Sequence, residues 1–403
     1  MSKNKNLTNK IIDGSVLSES ESNLFAENVI NRKINDYEIV SLLSFLFQNG
    51  EKYEEIFAFV KLLRKKMKKI SLSGSIMDTC GTGGDYKNSF NFSTATSIVL
   101  SACDVKIAKH GNRSVTSKSG SFDLLESLGI KLDLNKNDTI KYFKKNNICF
   151  LFAPHYHSVL KNFSEIRKSL PFRTIFNLLG PLLNPVKLDY QLLGVSDEKN
   201  LETHAKCISK LNLKKAWVVF NLNGYDELTT TSKNLFIEVK NGKVSKKKVL
   251  DPSEIGFKVR KDHELKGGSA QENSFLMKRV FEGETGAIRD NIILNAAAGL
   301  LISDKVKTSF SDEAISFEAD GVDGSMIAKV NMETDVEEYS ILENCELQQL
   351  FTLKYMEYMY AFGGICNKIN MYFSENQPYH AKYEFDEDSY LSFYLAPCVD
   401  DDA

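Results

Sequence analysis

The residues with the clearest chemistry surround a loop that has three glycines in four positions, Gly81-Thr82-Gly83-Gly84. The loop follows a short apolar run that contains Asp78, and Asp85 comes directly after it. Because glycine has no Cβ, the backbone can approach a bulky anion and direct its N–H groups at phosphate oxygens. Residues 91–94 then begin a predicted helix, whose positive N-terminal end favours an anion at the same place. The segment predicts a phosphate-binding loop, with an ordinary strand-to-helix turn as the alternative.

The loop matches neither of two familiar nucleotide-binding patterns. It lacks the Gly-Lys-Ser/Thr of the P-loop, and its glycines do not follow G-x-G-x-x-G. Nearby side-chain oxygens suit a hydrated cation or sugar hydroxyls, and they belong to Asp85, Asn91, Ser93 and Thr94.

A second polar segment, residues 109–120, directly follows a predicted strand. Its cations Lys109 and Arg113 would offset the charge of a phosphate. Its hydroxyl groups would donate hydrogen bonds to phosphate oxygens, and they belong to Ser114, Thr116, Ser117 and Ser119. A strongly anionic, oxygen-rich ligand is therefore expected, and a polar loop rich in turn residues is the alternative.

Two further segments suggest groups that would complete such a site. Arg167 and Arg173 precede an apolar stretch, which suits a carboxylated ring, although one of the two could simply pair with a helix end. Asp226-Glu227 follows a predicted strand, and adjacent carboxylates at a strand's carboxyl end can hold Mg²⁺ over a diphosphate. Such pairs are also common on surfaces. His155 and His157 lack a third ligand at metal spacing and are expected to be pocket-wall or structural residues.

The elements that must position these segments predict an α/β fold class. Residues 7–70 have the pattern of a small helical domain, with helices at 18–31, 37–50 and 53–68. From residue 76 to about 299, short apolar strands alternate with helices, which predicts a mostly parallel sheet. Strands are expected at 105–108, 148–152, 188–195 and 216–220, and helices at 94–103, 121–128, 272–281 and 291–302.

Near residue 308 the pattern changes to period-two segments, which predicts an antiparallel β-rich C-terminal module. One helix is expected within it, at residues 347–360. The predicted domains are residues 1–75, residues 76–308 with a helical hinge near 155–185, and residues 309–403.

Composition excludes several classes of protein. The 403 residues carry a formal net charge of −2, which argues against nucleic acid as a general partner. The N-terminus has no apolar signal core, and no apolar run is long enough for a membrane span, so a cytoplasmic protein is expected. The seven cysteines form no C-x-x-C pair and are expected to be reduced thiols.

Taken together and in this order, the four segments resemble anthranilate phosphoribosyltransferase over residues 10–307. The resemblance implies a small helical domain beside a larger α/β domain, usually in a homodimer. It also implies phosphoribosyl pyrophosphate and anthranilate as substrates, with Mg²⁺ as the metal.

The resemblance also implies roles for individual residues. The phosphoribosyl pyrophosphate cradle would contain Gly81, Gly84, Asp85, Ser89, Asn91, Phe92, Ser93, Thr94, Lys109, His110, Gly111, Asn112, Arg113, Ser114, Val115, Thr116, Ser117 and Ser121. Anthranilate would contact Gly81, Asn112 and Arg167, and Mg²⁺ would be held by Ser93, Asp226 and Glu227. No catalytic nucleophile or base is assigned.

Three positions depart from the family pattern. Ser89 stands where threonine is frequent, and Ser158 replaces a proline after His157. Pro171 replaces a glycine before the Arg173 motif, and this change is expected to affect anthranilate affinity rather than the type of reaction.

The C-terminal module, residues 311–403, resembles the last part of a proliferating-cell-nuclear-antigen-type sliding clamp through residues 351–362 and 390–397. A ring of that type encircles DNA with basic helices, whereas the segment here offers only Lys354 beside Glu357. The resemblance implies a fused or chimeric chain.

Two alternative functions remain from the sequence. A pyrimidine nucleoside phosphorylase would share the architecture, but Asp226-Glu227 and the segment 167–185 argue against it. A DNA-clamp-like binding protein would rest on the C-terminal module alone.

Overall fold

The computed structural model describes residues 3–113 and 119–303, together with 305–310, 315–321, 324–329, 347–352, 369–372, 379–384 and 390–395. The chain divides into two compact units. The first comprises Met1–Ser101 and Lys106–Ile302, and the second comprises Ala102–Val105 and Ser303–Ala403. The domain limits at 75 and 308 stay predictions.

The first unit begins with four helices, α1 (Lys3–Ile12), α2 (Glu19–Ile30), α3 (Asp36–Asn49) and α4 (Tyr53–Lys66). Ser18 caps α2 and Asn35 caps α3, because each side chain accepts a hydrogen bond from a backbone N–H of the first turn. Gly50 follows α3 with a φ of +74°, a conformation that glycine adopts without strain. These helices confirm the predicted helical start of the chain.

The sheet of the first unit is mostly parallel, which confirms the prediction. Its parallel strands are β1 (Ile76–Gly81), β2 (Lys106–Gly111), β3 (Ile148–Phe152), β4 (Tyr190–Gly194) and β5 (Lys215–Asn221). They lie in the order β3-β2-β1-β4-β5. An antiparallel extension absent from the prediction follows, made of β6 (Asn234–Lys240), β7 (Lys243–Val244) and β8 (Lys248–Leu250).

Helices connect these strands and complete the unit. They are α5 (Phe92–Ala102), α6 (Ser121–Ser127), α7 (Lys136–Asn146), α8 (Ala153–Tyr156), α9 (Ser164–Ser169), α10 (Ile175–Leu179), α11 (Lys199–Ser209), α12 (Ala270–Phe281) and α13 (Ala287–Ser303). Short 3-10 turns at Ser158–Phe163 and Gly180–Leu182 make residues 153–182 largely helical. The role of this segment as a hinge stays a prediction.

One hydrophobic core joins the helical bundle to the sheet. Its buried residues include Leu43 of α3, Phe59 of α4, Leu179 of α10 and Val218 of β5. Burial of this shared apolar surface is the main force that holds the bundle against the sheet. Within the described parts of the chain, no helix is long and apolar enough to cross a membrane.

The second unit contains two antiparallel sheets, which confirms its β-rich class. One has the order β11-β10-β9-β12, from strands β9 (Lys305–Phe310), β10 (Ile315–Gly321), β11 (Gly324–Lys329) and β12 (Leu347–Thr352). The other consists of β13 (Asn370–Tyr372), β14 (Tyr379–Glu384) and β15 (Tyr390–Leu395).

The helix predicted at 347–360 is wrong over its first six residues, because Leu347–Thr352 pairs with β9 as a strand. Pairing with a segment distant in sequence overrides local helical pattern here. The remainder, 353–360 with Lys354 and Glu357, lies outside the described residues.

Candidate active site

Parallel strands bring the predicted segments to one edge of the sheet. Strands β1, β2, β4 and β5 run in the same direction, and β1 ends at Gly81, β2 at Gly111 and β5 at Asn221. Because carboxyl ends of parallel strands share an edge, the glycine loop, the segment after β2 and residues 224–227 all begin there.

Asp226 packs directly into the glycine loop. Its Oδ2 accepts a hydrogen bond from the Gly83 backbone N–H at 2.6 Å. A Cβ at Gly81 would overlap the Asp226 carboxylate, and a Cβ at Gly194 would overlap the Asp226 backbone carbonyl. Glycine is therefore required at both positions by the close approach of Asp226.

Ser93, Glu227 and Lys109 lie together beside this contact. The Ser93 backbone N–H, at the start of α5, donates to Glu227 Oε1 at 3.3 Å. Lys109 is buried, and its Nζ donates to the Thr79 carbonyl at 2.7 Å and to Ser93 Oγ at 3.2 Å. Burial lowers the pKa of Lys109, while the charges of Asp78 and Glu227 act in the opposite direction. The three residues predicted for the metal, Ser93, Asp226 and Glu227, thus share one neighbourhood with a buried cation.

The carboxylates here have unusual protonation behaviour. Burial and the neighbouring Asp85 raise the pKa of Asp226 to about 7. Burial, Asp226 and Asp85 together raise the pKa of Glu227 well above its usual value. Glu227 Oε2 and Asp85 Oδ2 are buried and accept no hydrogen bond from the described residues. A cation bound here would stabilise the charged form of these neighbouring carboxyl groups and would give their unpaired oxygens a partner.

The donor set fits a hydrated divalent cation rather than a closed protein site. Among the residues that the structure describes, no three His, Cys, Asp or Glu side chains lie close enough together to hold a metal ion. Mg²⁺ ordinarily keeps several waters and takes one or two carboxylates plus substrate oxygens. The unsatisfied Glu227 oxygen and the Asp226 carboxylate meet that requirement.

The other residues predicted for the cradle take different positions. The Asn91 side chain donates to the Ser119 carbonyl and accepts from the Asn273 side chain. The backbone of Ser89 pairs with that of Lys266 in an isolated antiparallel β-bridge. Thr94 is buried with its Oγ1 unpaired within the described chain. The Phe92 side chain is buried in the core beside Phe90, so only its backbone can face a ligand.

The segment after β2 is only partly described. The Ser121 hydroxyl donates to the Asn112 carbonyl at 3.2 Å, and a Cβ at Gly111 would lie 2.5 Å from that hydroxyl. Arg113 is exposed and pairs with Glu126 at 2.5 Å, so its guanidinium is already engaged. Ser114, Val115, Thr116 and Ser117 lie outside the described residues.

His110 and His157 form a buried pair, with their Nε2 atoms 3.2 Å apart. Burial lowers the pKa of His110 to about 3 and that of His157 to about 4, so both rings are neutral near pH 7. One ring donates and the other accepts. His157 is thus buried and paired with another ring, whereas His155 lies largely exposed, with its Nε2 3.9 Å from Asp133 Oδ1.

The two arginines have different surroundings. Arg173 donates to the backbone carbonyls of Thr82 and Gly83 in the glycine loop. Arg167 is half-buried, and burial lowers its pKa. It makes no hydrogen bond or ion pair with any described residue. Its guanidinium is therefore available to an anionic ligand.

Several residues that hold the site together were given no role in the predictions from the sequence. Asp78 is fully buried and accepts from Asn184 at 2.9 Å, and Asn184 also donates to the Ala108 carbonyl. Asn295 donates to the Leu228 carbonyl and accepts from the Leu228 N–H, directly after Glu227. Two signals in the sequence could have identified them. Asp78 is an isolated carboxylate in an apolar strand, and Asn291 and Asn295 lie four residues apart in the apolar helix α13.

Family comparison agrees with this architecture. The chain matches the model described as "Glycosyl transferase family, a/b domain" over residues 73–323 and "Glycosyl transferase family, helical bundle domain" over 5–67. It is thus a glycosyl transferase that combines these two domains. Residues 298–398 match the "Proliferating cell nuclear antigen, C-terminal domain" model.

Individual relatives narrow the class. The anthranilate phosphoribosyltransferase of Petrotoga mobilis is 41% identical over 321 residues, which is 79% of this chain and 92% of the relative. That of Pelagibacter ubique is 42% identical over 296 residues, 73% of this chain and 89% of the relative. The chain belongs to the anthranilate phosphoribosyltransferase family and is an enzyme of the pentosyltransferase class.

Solved structures agree in fold. The anthranilate phosphoribosyltransferase of Thermus thermophilus superposes with a TM-score of 0.67 at 34% identity, covering 73% of this chain and 88% of that one. The Saccharomyces cerevisiae enzyme in complex with PRPP and Mg has a TM-score of 0.67 at 27% identity, covering 75% and 89%.

Proposed function

We propose that this chain transfers the phosphoribosyl group of phosphoribosyl pyrophosphate to the amine of anthranilate, a step of tryptophan biosynthesis. The observation that carries the proposal is the hydrogen bond between Asp226 and Gly83, which joins the carboxylate pair to the phosphate loop. The products are N-(5-phosphoribosyl)anthranilate and pyrophosphate.

The proposed reaction is a displacement at C1 of the ribose. The bond from C1 to the pyrophosphate oxygen breaks, and its electron pair leaves with pyrophosphate. The anthranilate nitrogen then bonds to the cation-like C1, and the proton that it loses as its basicity falls passes to water. No covalent nucleophile is needed, so positioning and electrostatic stabilisation carry the catalysis.

The chain's own residues have separate roles in this proposal. Backbone N–H groups of residues 81–85 and the start of α5 bind phosphate oxygens. Lys109 places a buried positive charge beside Ser93. Arg167, half-buried with no partner among the described residues, binds the carboxylate of anthranilate, together with Gly81 and Asn112.

Mg²⁺ is the proposed metal, held by Ser93, Asp226 and Glu227 partly through water. The buried, unsatisfied Glu227 Oε2 and the raised pKa values of both carboxyl groups support this assignment. The chemistry supplied by bound Mg²⁺ is offset of the negative charge on the leaving pyrophosphate.

Product fluorescence tests the reaction directly. Purified chain is mixed with both substrates, with Mg²⁺ or with a chelator, and fluorescence appears only with Mg²⁺. Absence of signal from folded protein overturns the proposal. A parallel assay for phosphorolysis of pyrimidine nucleosides tests the phosphorylase alternative, and we expect no activity there.

A second proposal concerns assembly. The family resemblance supports a homodimer, and the match over residues 298–398 supports a fused fragment of sliding-clamp type. The mass of the full chain in solution separates this proposal from the alternative of a DNA-clamp-like protein: we expect a dimer for the transferase, whereas a clamp ring would be a trimer.

A further inference from the structure

Arg173 donates hydrogen bonds to the backbone of the glycine loop. Its Nη2 donates to the Thr82 carbonyl at 2.7 Å, and its Nη1 donates to the Gly83 carbonyl and to Ser196 Oγ, the latter at 3.0 Å. The planar guanidinium is a rigid fork, so it fixes two successive carbonyls in a way that a lysine cannot. This side chain therefore helps to fix the orientation of the two peptide groups that contain these carbonyls.

The loop sequence is matched to this arginine. Gly84 has a φ of +69°, and a Cβ there would overlap the Arg173 guanidinium. The Gly83 N–H is held by Asp226 on the other side. Gly83 is thus fixed through its carbonyl by the Arg173 guanidinium and through its N–H by the Asp226 carboxyl group. Arg173 also lies in the field of the carboxylates of Asp226, Asp85 and Glu51.

The residue before Arg173 contacts the helical bundle. Phe172 stacks on Phe47 of α3, with ring centroids 4.7 Å apart and planes at 22°. Glu51, just beyond the end of α3, attracts Arg173 electrostatically. The adjacent residues Phe172 and Arg173 thus connect the end of α3 to the glycine loop.

We propose that Arg173 is a positioning residue for the transfer reaction: it holds the glycine loop through the Thr82 and Gly83 carbonyls, and the Phe47–Phe172 stack holds Arg173 in place. The helical bundle, α1 to α4, thereby controls the geometry of the glycine loop. This inference rests on the proposed function for its kinetic part alone.

Four variants of the full chain test the link. Arg173→Lys keeps the charge and removes the fork, and Phe47→Ala removes the stack. Arg279→Lys and Phe275→Ala are matched controls, because Arg279 pairs with Glu284 on the surface and Phe275 is 61% exposed. Amide hydrogen exchange of residues 82–85 is measured alongside the KM values of both substrates.

We expect Arg173→Lys to raise the KM for phosphoribosyl pyrophosphate about tenfold, with the KM for anthranilate nearly unchanged. We expect Phe47→Ala to raise the KM for phosphoribosyl pyrophosphate about threefold, because the free energy of one aromatic pair corresponds to about that factor. Both accelerate exchange at residues 82–85 more than elsewhere, and the controls change neither quantity.

Unchanged exchange at 82–85 in Arg173→Lys, or an equal rise in both KM values, overturns the proposal. A uniform rise in exchange with a lower melting temperature assigns Phe47 to stability alone and also overturns it. If the wild-type chain shows no turnover, the transfer function fails, while hydrogen exchange still decides the link.

Discussion

Asp226 accepts a hydrogen bond from the Gly83 N–H at 2.6 Å, although the two residues are 143 positions apart. The contact makes the carboxylate pair and the glycine loop parts of one structure. We therefore expect a change in the charge of Asp226 to affect the conformation of the glycine loop as well as the binding of the proposed Mg²⁺.

The double variant Asp226→Asn with Glu227→Gln should abolish Mg²⁺-dependent turnover. We expect a loss of at least about hundredfold in kcat/KM, because charge stabilisation by a metal is worth several kcal/mol. The melting temperature should be unchanged or higher, since two buried, mutually repelling carboxylates become neutral amides. Steady-state kinetics and thermal unfolding measure the two effects.

The matched control is the adjacent acidic pair Asp197-Glu198, whose partners Lys199 and Lys247 lie on the surface. Asp197→Asn with Glu198→Gln should leave turnover as it is. Unchanged turnover in the Asp226–Glu227 variant would remove the metal assignment.

Arg167→Met should raise the KM for anthranilate without raising that for phosphoribosyl pyrophosphate. We expect at least about tenfold, the value of one charge-assisted contact to a carboxylate. Lys168→Met is the control, because Lys168 is exposed and pairs only with Glu165 among the described residues. Equal KM values in wild type and Arg167→Met would exclude Arg167 from the anthranilate site.

Glu55→Gln should change how stability depends on pH. Glu55 is 3% exposed and caps α4 by accepting from the Lys52 N–H, and burial raises its pKa from 4.5 to about 7. Because the folded pKa is the higher one, the folded chain binds more protons between these values, and its free energy of unfolding falls as pH rises through them. The glutamine keeps the cap without the charge, so we expect the variant to gain up to about 3 kcal/mol over wild type by pH 8.

Urea unfolding at pH 5 and pH 8 measures this gain. Glu38→Gln is the control, since Glu38 has the same capping role at α3 but is exposed. A constant difference between Glu55→Gln and wild type across this range would contradict the expected effect of burial.

A chain of residues 1–308 should retain most of the turnover of the full chain. All residues proposed for substrates and metal lie between positions 81 and 227, within the first compact unit. Circular dichroism and residual activity after heating compare the two chains. Loss of folding or activity in the shorter chain would mean that residues 309–403 stabilise the enzyme.

Much of this fold follows from local sequence pattern. The apolar runs that form β1 to β5 and the capped helices of the bundle are predictable, because burial and capping act on neighbouring residues. The antiparallel extension β6 to β8 was not predicted, since its lysine-rich part, residues 243–250, has little apolar alternation. Strand β12 was predicted as a helix because its pairing with β9 is a long-range contact.

The site was predictable to a similar degree. The motif segments were identified by residue type and spacing, and the sheet brings the carboxylates to the glycine loop as expected. Which arginine meets which partner was not predictable. Arg173 reaches carbonyls 90 or more residues away, and nothing in the neighbouring sequence specifies such a contact.

The two hydrogen bonds between Asn295 and Leu228 have a consequence for synthesis of the chain. The backbone next to Glu227 is fixed by α13, which is translated long after the glycine loop. On the ribosome, a nascent chain that lacks α13 has every proposed ligand residue but no support for the carboxylate pair. Substrate binding should therefore begin only after α13 leaves the exit tunnel, and stalled shorter chains should remain inactive.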